Sequence, residues 1–412
     1  MLCRTDYDPD PTTSCCDRFD GSTGKGNHAS ATHRTHRQGQ RPLLSFIEIW
    51  DRYRHDPDVA DFAFGNPQEL AIDGYGPALA AVTTPMDKHH YEYKRSEDEP
   101  RRSVAKHLTA WRGREFDPDD IALTPGAFGA ISVAMIALID PGDEVIYQIP
   151  PWFFYESMVA SVGGVPVGIP VRDVDYDLDL DAIAAAITER TRMVIVNTPH
   201  NPTGRIYPPE TLRRLAGILT EASERNGSAI YLLSDEPYSR LVFSDASFTS
   251  PSEYYPDTLI SYSYGKILLT PGQRIGWLAL APNMAERETM RRAIVMAQIA
   301  GGWQFPSAIM QYAIDDLESL SIDLAELERK RDWFVDELAT AGYELRPPEG
   351  TFYLWVRSPD SDDVAFAERL AEHKVLVLPG TTCESPGHFR ISLTATPDMI
   401  ERSLPIFAAA NN

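Results

Sequence analysis

Arg192-Met-Val-Ile-Val-Asn-Thr-Pro-His-Asn-Pro-Thr-Gly204 joins an apolar, strand-like run to a loop held tight by two prolines and a glycine. A helix-periodic segment follows, with Leu212, Leu215, Ile218 and Leu219 at spacings of three and four and Gly227 at its end, and then a second apolar run over 229–234. The same alternation extends on both sides. Upstream lie a Gly-containing turn opening an apolar helix over 126–139 and a strand over 144–149; downstream the pattern runs to Trp277. Strands alternating with helices predict an α/β unit with a mostly parallel sheet covered by helices on both faces.

The flanks read differently. Leu43, Leu44, Ile47, Ile49 and Trp50 predict an amphipathic helix near the start, followed by an apolar strand-like stretch over 61–67. The last hundred residues predict an α+β unit: a long charged helix over 320–342, a strand over 351–356, a helix over 364–373, and strands over 375–378 and 388–392. The expected organisation is a polar disordered tail (1–40), an N-terminal helix and arm (41–60), a large domain (61–310) and a small C-terminal domain (311–412). The tail is rich in Asp, Ser, Thr, Gly and His and has too few aliphatic side chains to offset ordering entropy. His28, His33 and His36 are too irregularly spaced to predict a metal site with the nearby cysteines.

At 412 residues the chain is long enough for two domains sharing a cleft. Its net charge of −22 opposes binding to nucleic acid, and 43% hydrophobic with 24% charged residues is the composition of a soluble globular protein. The longest nearly apolar stretch, 127–139, is too short to span a bilayer. Cys3, Cys15 and Cys16 cluster at the start and Cys383 stands alone, so no disulfide framework or paired metal-ligand spacing emerges. With no signal-peptide pattern either, a reducing cytoplasmic location is expected, with no membrane and no nucleic-acid partner.

The chemistry-bearing residues fall where predicted strands end, the place where open α/β sheets bind ligands. Asp235 closes the run 229–234; an ionised carboxylate there holds a pyridine nitrogen protonated, unless it merely caps the following turn. Tyr238 and Asn201 are candidate donors to a phenolic oxygen. Ser263-Tyr-Gly-Lys-Ile-Leu-Leu-Thr-Pro-Gly-Gln-Arg-Ile-Gly-Trp277 supplies an amine for a Schiff base at Lys266, and a hydroxyl and a guanidinium for phosphate at Ser263 and Arg274. Alone, Lys266 reads more readily as a solvated surface lysine than as a catalytic amine. Thr124-Pro-Gly-Ala-Phe-Gly-Ala130 opens the apolar helix, and the free amides of Gly126, Ala127 and Phe128 suit an anion. Trp152 is either a ring to stack on a cofactor or a core aromatic. Arg390, between apolar neighbours in 388–393, needs a carboxylate partner, from a substrate or from a structural ion pair.

Taken together, Asn-Pro-Thr-Gly (201–204), Ser-Asp-Glu-Pro-Tyr (234–238), Ser-x-x-Lys with Arg eight residues on (263, 266, 274) and Phe-Arg-Ile-Ser (389–392) closely resemble the class I/II pyridoxal-phosphate-dependent aminotransferases of fold type I, over residues 41–410. The resemblance implies a seven-stranded, mostly parallel sheet with a smaller α+β domain, pyridoxal 5′-phosphate as cofactor, and ping-pong transfer of an amino group between an α-amino acid and a 2-oxo acid. It implies Lys266 as the cofactor-bearing amine and proton shuttle, Asp235 on the pyridine nitrogen, Asn201 and Tyr238 on the phenolic oxygen, and Trp152 stacked on the ring. Ser263, Arg274, Ala127 and Phe128 would hold phosphate, Arg390 the substrate carboxylate, and Gly65 would be a substrate contact, as would Trp152 and Asn201.

Such enzymes are usually homodimers with composite sites, in which a tyrosine reaches the partner's phosphate. Here the usual Tyr-x-Pro-x-x-Gly is replaced by Tyr91-Glu-Tyr-Lys-Arg-Ser96, and counting back from Arg101 favours Tyr91 over Tyr93. Phe128 stands where some aspartate-preferring relatives carry a lysine, which shifts expectation towards neutral or aromatic amino donors. Two rivals stand beside transamination. One is a lyase, decarboxylase or synthase, cyclopropane-forming enzymes included, on the same scaffold. The other is a non-enzymatic regulator, disfavoured because the tail is too short and polar for a DNA-binding domain.

Overall fold

The structure, a computed structural model, describes residues 41–411. The predicted tail, with Cys3, Cys15, Cys16 and its histidines, lies outside them. Seven strands form the larger sheet: β2 (Ile121–Thr124), β3 (Glu144–Ile149), β4 (Val165–Pro170), β5 (Thr191–Asn197), β6 (Tyr231–Asp235), β7 (Thr258–Ser263) and β8 (Gly276–Leu280), after a short β1 (Ala60–Asp61) that lies elsewhere. Their order is β2-β8-β7-β6-β5-β3-β4, with only β8 antiparallel to its neighbours.

The central strands are apolar at nearly every position because both faces are covered. Val145, Tyr147, Met193, Ile195 and Leu233 face the helices Gly126–Leu138 and Arg287–Ala300, whereas Ile146, Val194, Val196 and Leu232 face Leu180–Ala186 and Pro209–Asn226. The helix Gly126–Leu138 is apolar all round and lies between the sheet and a second helix. Pro209–Asn226 is amphipathic. It starts with Pro at its first position, ends at Gly227 in the left-handed region (φ 64°), and buries Leu212, Leu215 and Leu219, each worth about 1.5–3 kcal/mol of transfer free energy.

Register decides where the polar strand ends meet. Asn197, Asp235 and Ser261 are side by side across β5, β6 and β7, and Thr124, Gly276 and Ser263 are side by side across β2, β8 and β7. A side-chain period of two puts residues in register on one face, so the alignment collects these groups at one edge of the sheet.

The smaller unit is a three-stranded antiparallel sheet, in the order β11 (Leu378–Pro379), β12 (His388–Ser392), β9 (Tyr353–Arg357), with the helices Leu324–Thr340, Asp363–Glu372 and Pro397–Ala410. The helix Arg41–Tyr53 packs Phe46 and Ile49 against Trp355, Leu376 and Leu378 of this unit. Three expectations need correction. The stretch 61–67 is strand only at β1, which pairs in parallel with β10 (Val375–Leu376); beyond it the Asp61 carboxylate turns the chain by accepting the Trp50 indole N–H (2.7 Å) and the Ala63 N–H (2.9 Å). The strand over 375–378 is split into β10 and β11, which join different sheets. The helix expected over 320–342 begins only at Leu324, where Asp323 caps it by accepting the Glu326 N–H, and stops at Thr340.

Two glycines separate close packing from helix propensity. A Cβ on Gly276 would lie 2.2 Å from the Tyr262 carbonyl oxygen and 2.8 Å from Gly126 Cα, whereas Gly217, exposed in Pro209–Asn226, has nothing within 4 Å. Gly276→Ala is expected to lower the unfolding free energy by about 1–3 kcal/mol or more. Gly217→Ala is expected to raise it by about 0.5–1 kcal/mol. Thermal or urea melts of the two variants measure both.

Candidate active site

Ala127, Phe128, Trp152, Asn201, Asp235, Tyr238, Ser263, Lys266 and Arg274 line a single cavity at the carboxyl ends of the parallel strands. They arrive from separate elements. Ser263 ends β7, and Lys266 lies on the one-turn helix Tyr264–Ile267 directly after it. The Lys266 amine is 5.4 Å from the centre of the Tyr238 ring and 5.9 Å from that of Phe352.

One end of the cavity suits an anion. Gly126, with φ 76°, opens the helix Gly126–Leu138 against the Arg274 guanidinium, and a Cβ there would be 2.8 Å from Arg274 Nη2. Arg274 Nη1 donates to the Pro271 carbonyl at 2.7 Å, which holds the guanidinium beside the helix start, in the cavity that Ser263 also lines.

The other end is built around Asp235, which is 3% exposed. Tyr155 Oη donates to its Oδ2 at 2.5 Å, Ser261 Oγ to its Oδ1 at 2.6 Å, and Asn197 Nδ2 to its Oδ2 at 3.3 Å and its backbone carbonyl at 2.9 Å. Burial pushes the carboxyl up to about 6, against the hydrogen bonds from Ser261 and Tyr155 and the positive charge of Lys266. A protonated ring nitrogen from a ligand would complete this set, supplying the charge that the neutral donors do not. Next to Asp235, Glu236 is fully buried against Arg112 and accepts from Ser234 Oγ at 2.7 Å, fixing the turn that carries Tyr238.

Asn201 is oriented from two sides. Its backbone N–H donates to Asn197 Oδ1 at 2.7 Å, and its side-chain Oδ1 accepts from Arg390 Nη1 at 2.9 Å, leaving the amide nitrogen as its donor. The intervening His200 is fully buried, which pushes it down to about 3 and keeps it neutral: Nε2 donates to the Pro150 carbonyl (2.9 Å) and Nδ1 accepts from Thr203 Oγ1 (2.7 Å).

Three of the expected residues do not line the cavity. Arg390, 2% exposed, reaches it through Asn201, donates from Nη2 to the Ala63 carbonyl (2.8 Å), and lies 4.0 Å over the Tyr353 ring; its Nε has no hydrogen-bond partner among the described residues. Gly65 is tight against Phe352 and Tyr353, where a Cβ would come within 2.6 Å of both side chains. Tyr91 is exposed and its hydroxyl donates to the Thr83 carbonyl of the same chain.

The cavity thus holds an amine, a buried carboxylate and a guanidinium at a helix start, with the buried Arg390 guanidinium beside it. The model of "Aminotransferase class I and II" matches residues 80–405. The chain belongs to this family. Among relatives, the aminotransferase is 33% identical over 325 residues to the probable aspartate/prephenate aminotransferase of Thermus aquaticus, covering 76% of this chain and 81% of that one. It is 30% identical over 314 residues to the aspartate aminotransferase of Thermotoga maritima, covering 74% and 79%. Among solved structures, an aminotransferase from Eubacterium rectale superposes with a TM-score of 0.82 at 28% identity over 97% of this chain and 98% of that chain. The Thermus thermophilus aspartate aminotransferase with maleate gives 0.78 at 26% over 90% and 96%.

Sequence reading missed Asn197, Tyr155 and Ser261, the three donors to Asp235. Each carried a signal: Asn197 ends the same strand that leads to Asn201, Tyr155 lies three residues beyond Trp152, and Ser261 lies two before Ser263. The Asp235 environment gives a pH prediction for the aminotransferase without its cofactor. An acid whose folded pKa, about 6, lies above its ordinary 3.8 contributes stability that is present below 3.8 and lost as pH rises through about 6. The difference in unfolding free energy between wild type and Asp235→Asn should therefore move by roughly 2–3 kcal/mol in favour of the variant from pH 3 to pH 8. Urea melts of both cofactor-free proteins across that range test it.

Proposed function

We propose that this aminotransferase uses pyridoxal 5′-phosphate and moves an amino group from a neutral or aromatic α-amino acid to a 2-oxo acid. The observation that carries the cofactor is the buried Asp235 carboxylate facing the same cavity as Lys266 and the Gly126–Arg274 cradle. When bound, the cofactor supplies an aldehyde for amine exchange and a ring that delocalises the electrons left at the donor's Cα.

In this reading each residue has one task. Asp235 keeps the ring nitrogen protonated, with Tyr155, Ser261 and Asn197 holding the carboxylate in place. Asn201 and Tyr238 donate to the phenolic oxygen, and Trp152 covers one face of the ring. Ser263, Arg274 and the amides of Ala127 and Phe128 hold the phosphate. Arg390 binds the donor's α-carboxylate, with Gly65 leaving room for it. Lys266 Nζ accepts the proton from Cα and, in the second half of the ping-pong cycle, gives one to the Cα of the new amino acid.

The preference for neutral or aromatic donors departs from the aspartate in the names of the relatives. It is supported by an aromatic wall: the Phe128 ring lies 5.3 Å from Trp152 and 5.4 Å from Phe154. Apolar surface of this kind gains from burying an apolar side chain and offers a distal carboxylate no charge partner.

The proposed assembly is a homodimer with composite sites. Val295, Met296 and Ile299 on the helix Arg287–Ala300 are 45–63% exposed, and Phe305 joins them with its ring 5.1 Å from exposed Tyr93. An apolar patch of that kind suits a second copy. Tyr91, on the same exposed segment as Tyr93, is the residue proposed to reach the partner's phosphate.

Titrating the protein with pyridoxal 5′-phosphate should produce a visible absorption band. Lys266→Ala should retain phosphate-anchored cofactor yet lose turnover by at least a factor of about 10³. A donor panel with 2-oxoglutarate and pyruvate as acceptors should favour aromatic over acidic donors, and Phe128→Lys should shift the kcat/KM ratio towards aspartate by tenfold or more, on the order of 1.4 kcal/mol. Product formation without any 2-oxo acid acceptor would instead support the lyase, decarboxylase or synthase reading.

A further inference from the structure

Glu384 has an unusual backbone for a residue with a side chain. It follows the short helix Gly380–Cys383 with φ 55°, in the left-handed region that glycine normally fills. Strain of this kind persists where the surroundings impose it. Here they include the Tyr147 hydroxyl, which lies 3.1 Å from Glu384 Oε2 and 3.2 Å from Oε1. Tyr147 is on β3 of the seven-stranded sheet and is 3% exposed. A Cβ on Gly168, its register partner on β4, would be 3.5 Å from Glu384 Oε2. Although the residue as a whole is exposed, its carboxyl end is laid against the larger sheet.

The two sides of this contact lead into the active site. Chainwise, the turn at Glu384 runs directly into β12 and Arg390, and the preceding Cys383 packs in the cluster that holds Trp355, Ala63 and Phe153. Across the contact, the Tyr147 ring lies 6.2 Å from that of Tyr155, whose hydroxyl holds Asp235. We infer that Glu384 is a positioning residue: its contact with Tyr147 ties the turn leading into Arg390 to the seven-stranded sheet and so sets how the guanidinium meets a substrate carboxylate. The inference rests on the reading of Arg390 as the carboxylate-binding residue.

The contact responds to pH. The groups facing the Glu384 carboxyl are the Tyr147 hydroxyl from β3 and Glu156 from the helix Tyr155–Ser161. Burial raises the carboxyl from an ordinary 4.5 to about 7; the Tyr147 hydrogen bond opposes this and the charge of Glu156 adds to it. Because the docked value exceeds the free one, docking is favoured by the neutral acid. That advantage is fully present below 4.5 and is lost as pH rises through about 7.

The test is steady-state KM and kcat for the amino donor, measured on the holoenzyme from pH 5.5 to 8.5 in wild type, Glu384→Gln, Tyr147→Phe and Arg390→Lys. Wild-type KM is expected to rise at least threefold over this range with a smaller change in kcat. Glu384→Gln should hold KM near its low-pH value throughout, and Tyr147→Phe should raise KM at every pH with kcat within twofold. A Glu384→Gln profile that follows wild type, or an effect confined to kcat, would overturn the role of Glu384. Arg390→Lys reads the parent assignment separately: unchanged KM there removes Arg390 as the carboxylate site, and a raised KM there with an unaltered Glu384→Gln profile removes Glu384 alone.

Discussion

A carboxylate kept out of water at the end of β6 is the constraint on which the rest of the site depends. Asp235 is held by three neutral donors, from Tyr155, Ser261 and Asn197, none of which brings a compensating charge. Neutral donors fix the position of the carboxylate without satisfying its charge, so burial keeps its proton affinity high. The arrangement is costly to the protein by itself, and the cationic ring nitrogen of the proposed cofactor would reduce that cost. Folding energy from the apolar strands and the helices packed on them offsets that cost.

The same network connects the two ends of the chemistry. Asn197 donates to Asp235 and accepts from the backbone of Asn201, and Asn201 accepts from Arg390, so the proposed nitrogen-binding and carboxylate-binding poles share one run of hydrogen bonds. The run crosses from the larger sheet to β12 of the smaller one. The placement of Arg390 therefore depends on how the two sheets meet, at Asn201 near the guanidinium and at the Glu384–Tyr147 contact farther along the turn, and on the Ala63 carbonyl of the segment after β1.

Much of this was legible in the sequence, for a local physical reason. The strands over 144–149 and 388–392 match β3 and β12 in full, and the helix closed by Gly227 ends where expected, because unbroken apolar runs and glycine caps are local signals. Asp235, Asn201, Ser263 and Lys266 line one cavity because a parallel sheet gathers its strand ends at one edge, whatever the details of packing. What escaped was set by distant partners. The length of β1 is decided by its pairing with β10, more than 300 positions away, and the split between β10 and β11 arises because β10 follows that distant partner while β11 pairs with nearby β12. Ser261 meets Asp235 through the register of β7 on β6, and Tyr155 reaches it from the start of the helix Tyr155–Ser161, placements set by tertiary packing; nothing in Cys-Glu-Ser marks Glu384 as a left-handed turn.

In the proposed holoenzyme, Asp235 keeps the ring nitrogen of the bound cofactor protonated. Nitrogen-15 NMR of holoenzyme loaded with pyridoxal 5′-phosphate labelled at the ring nitrogen measures that proton directly. The predicted result is a pyridinium signal in wild type that persists at pH 8 and is replaced by the unprotonated signal in Asp235→Ala. An unprotonated ring nitrogen in the wild-type enzyme at pH 8 would rule out that role for Asp235.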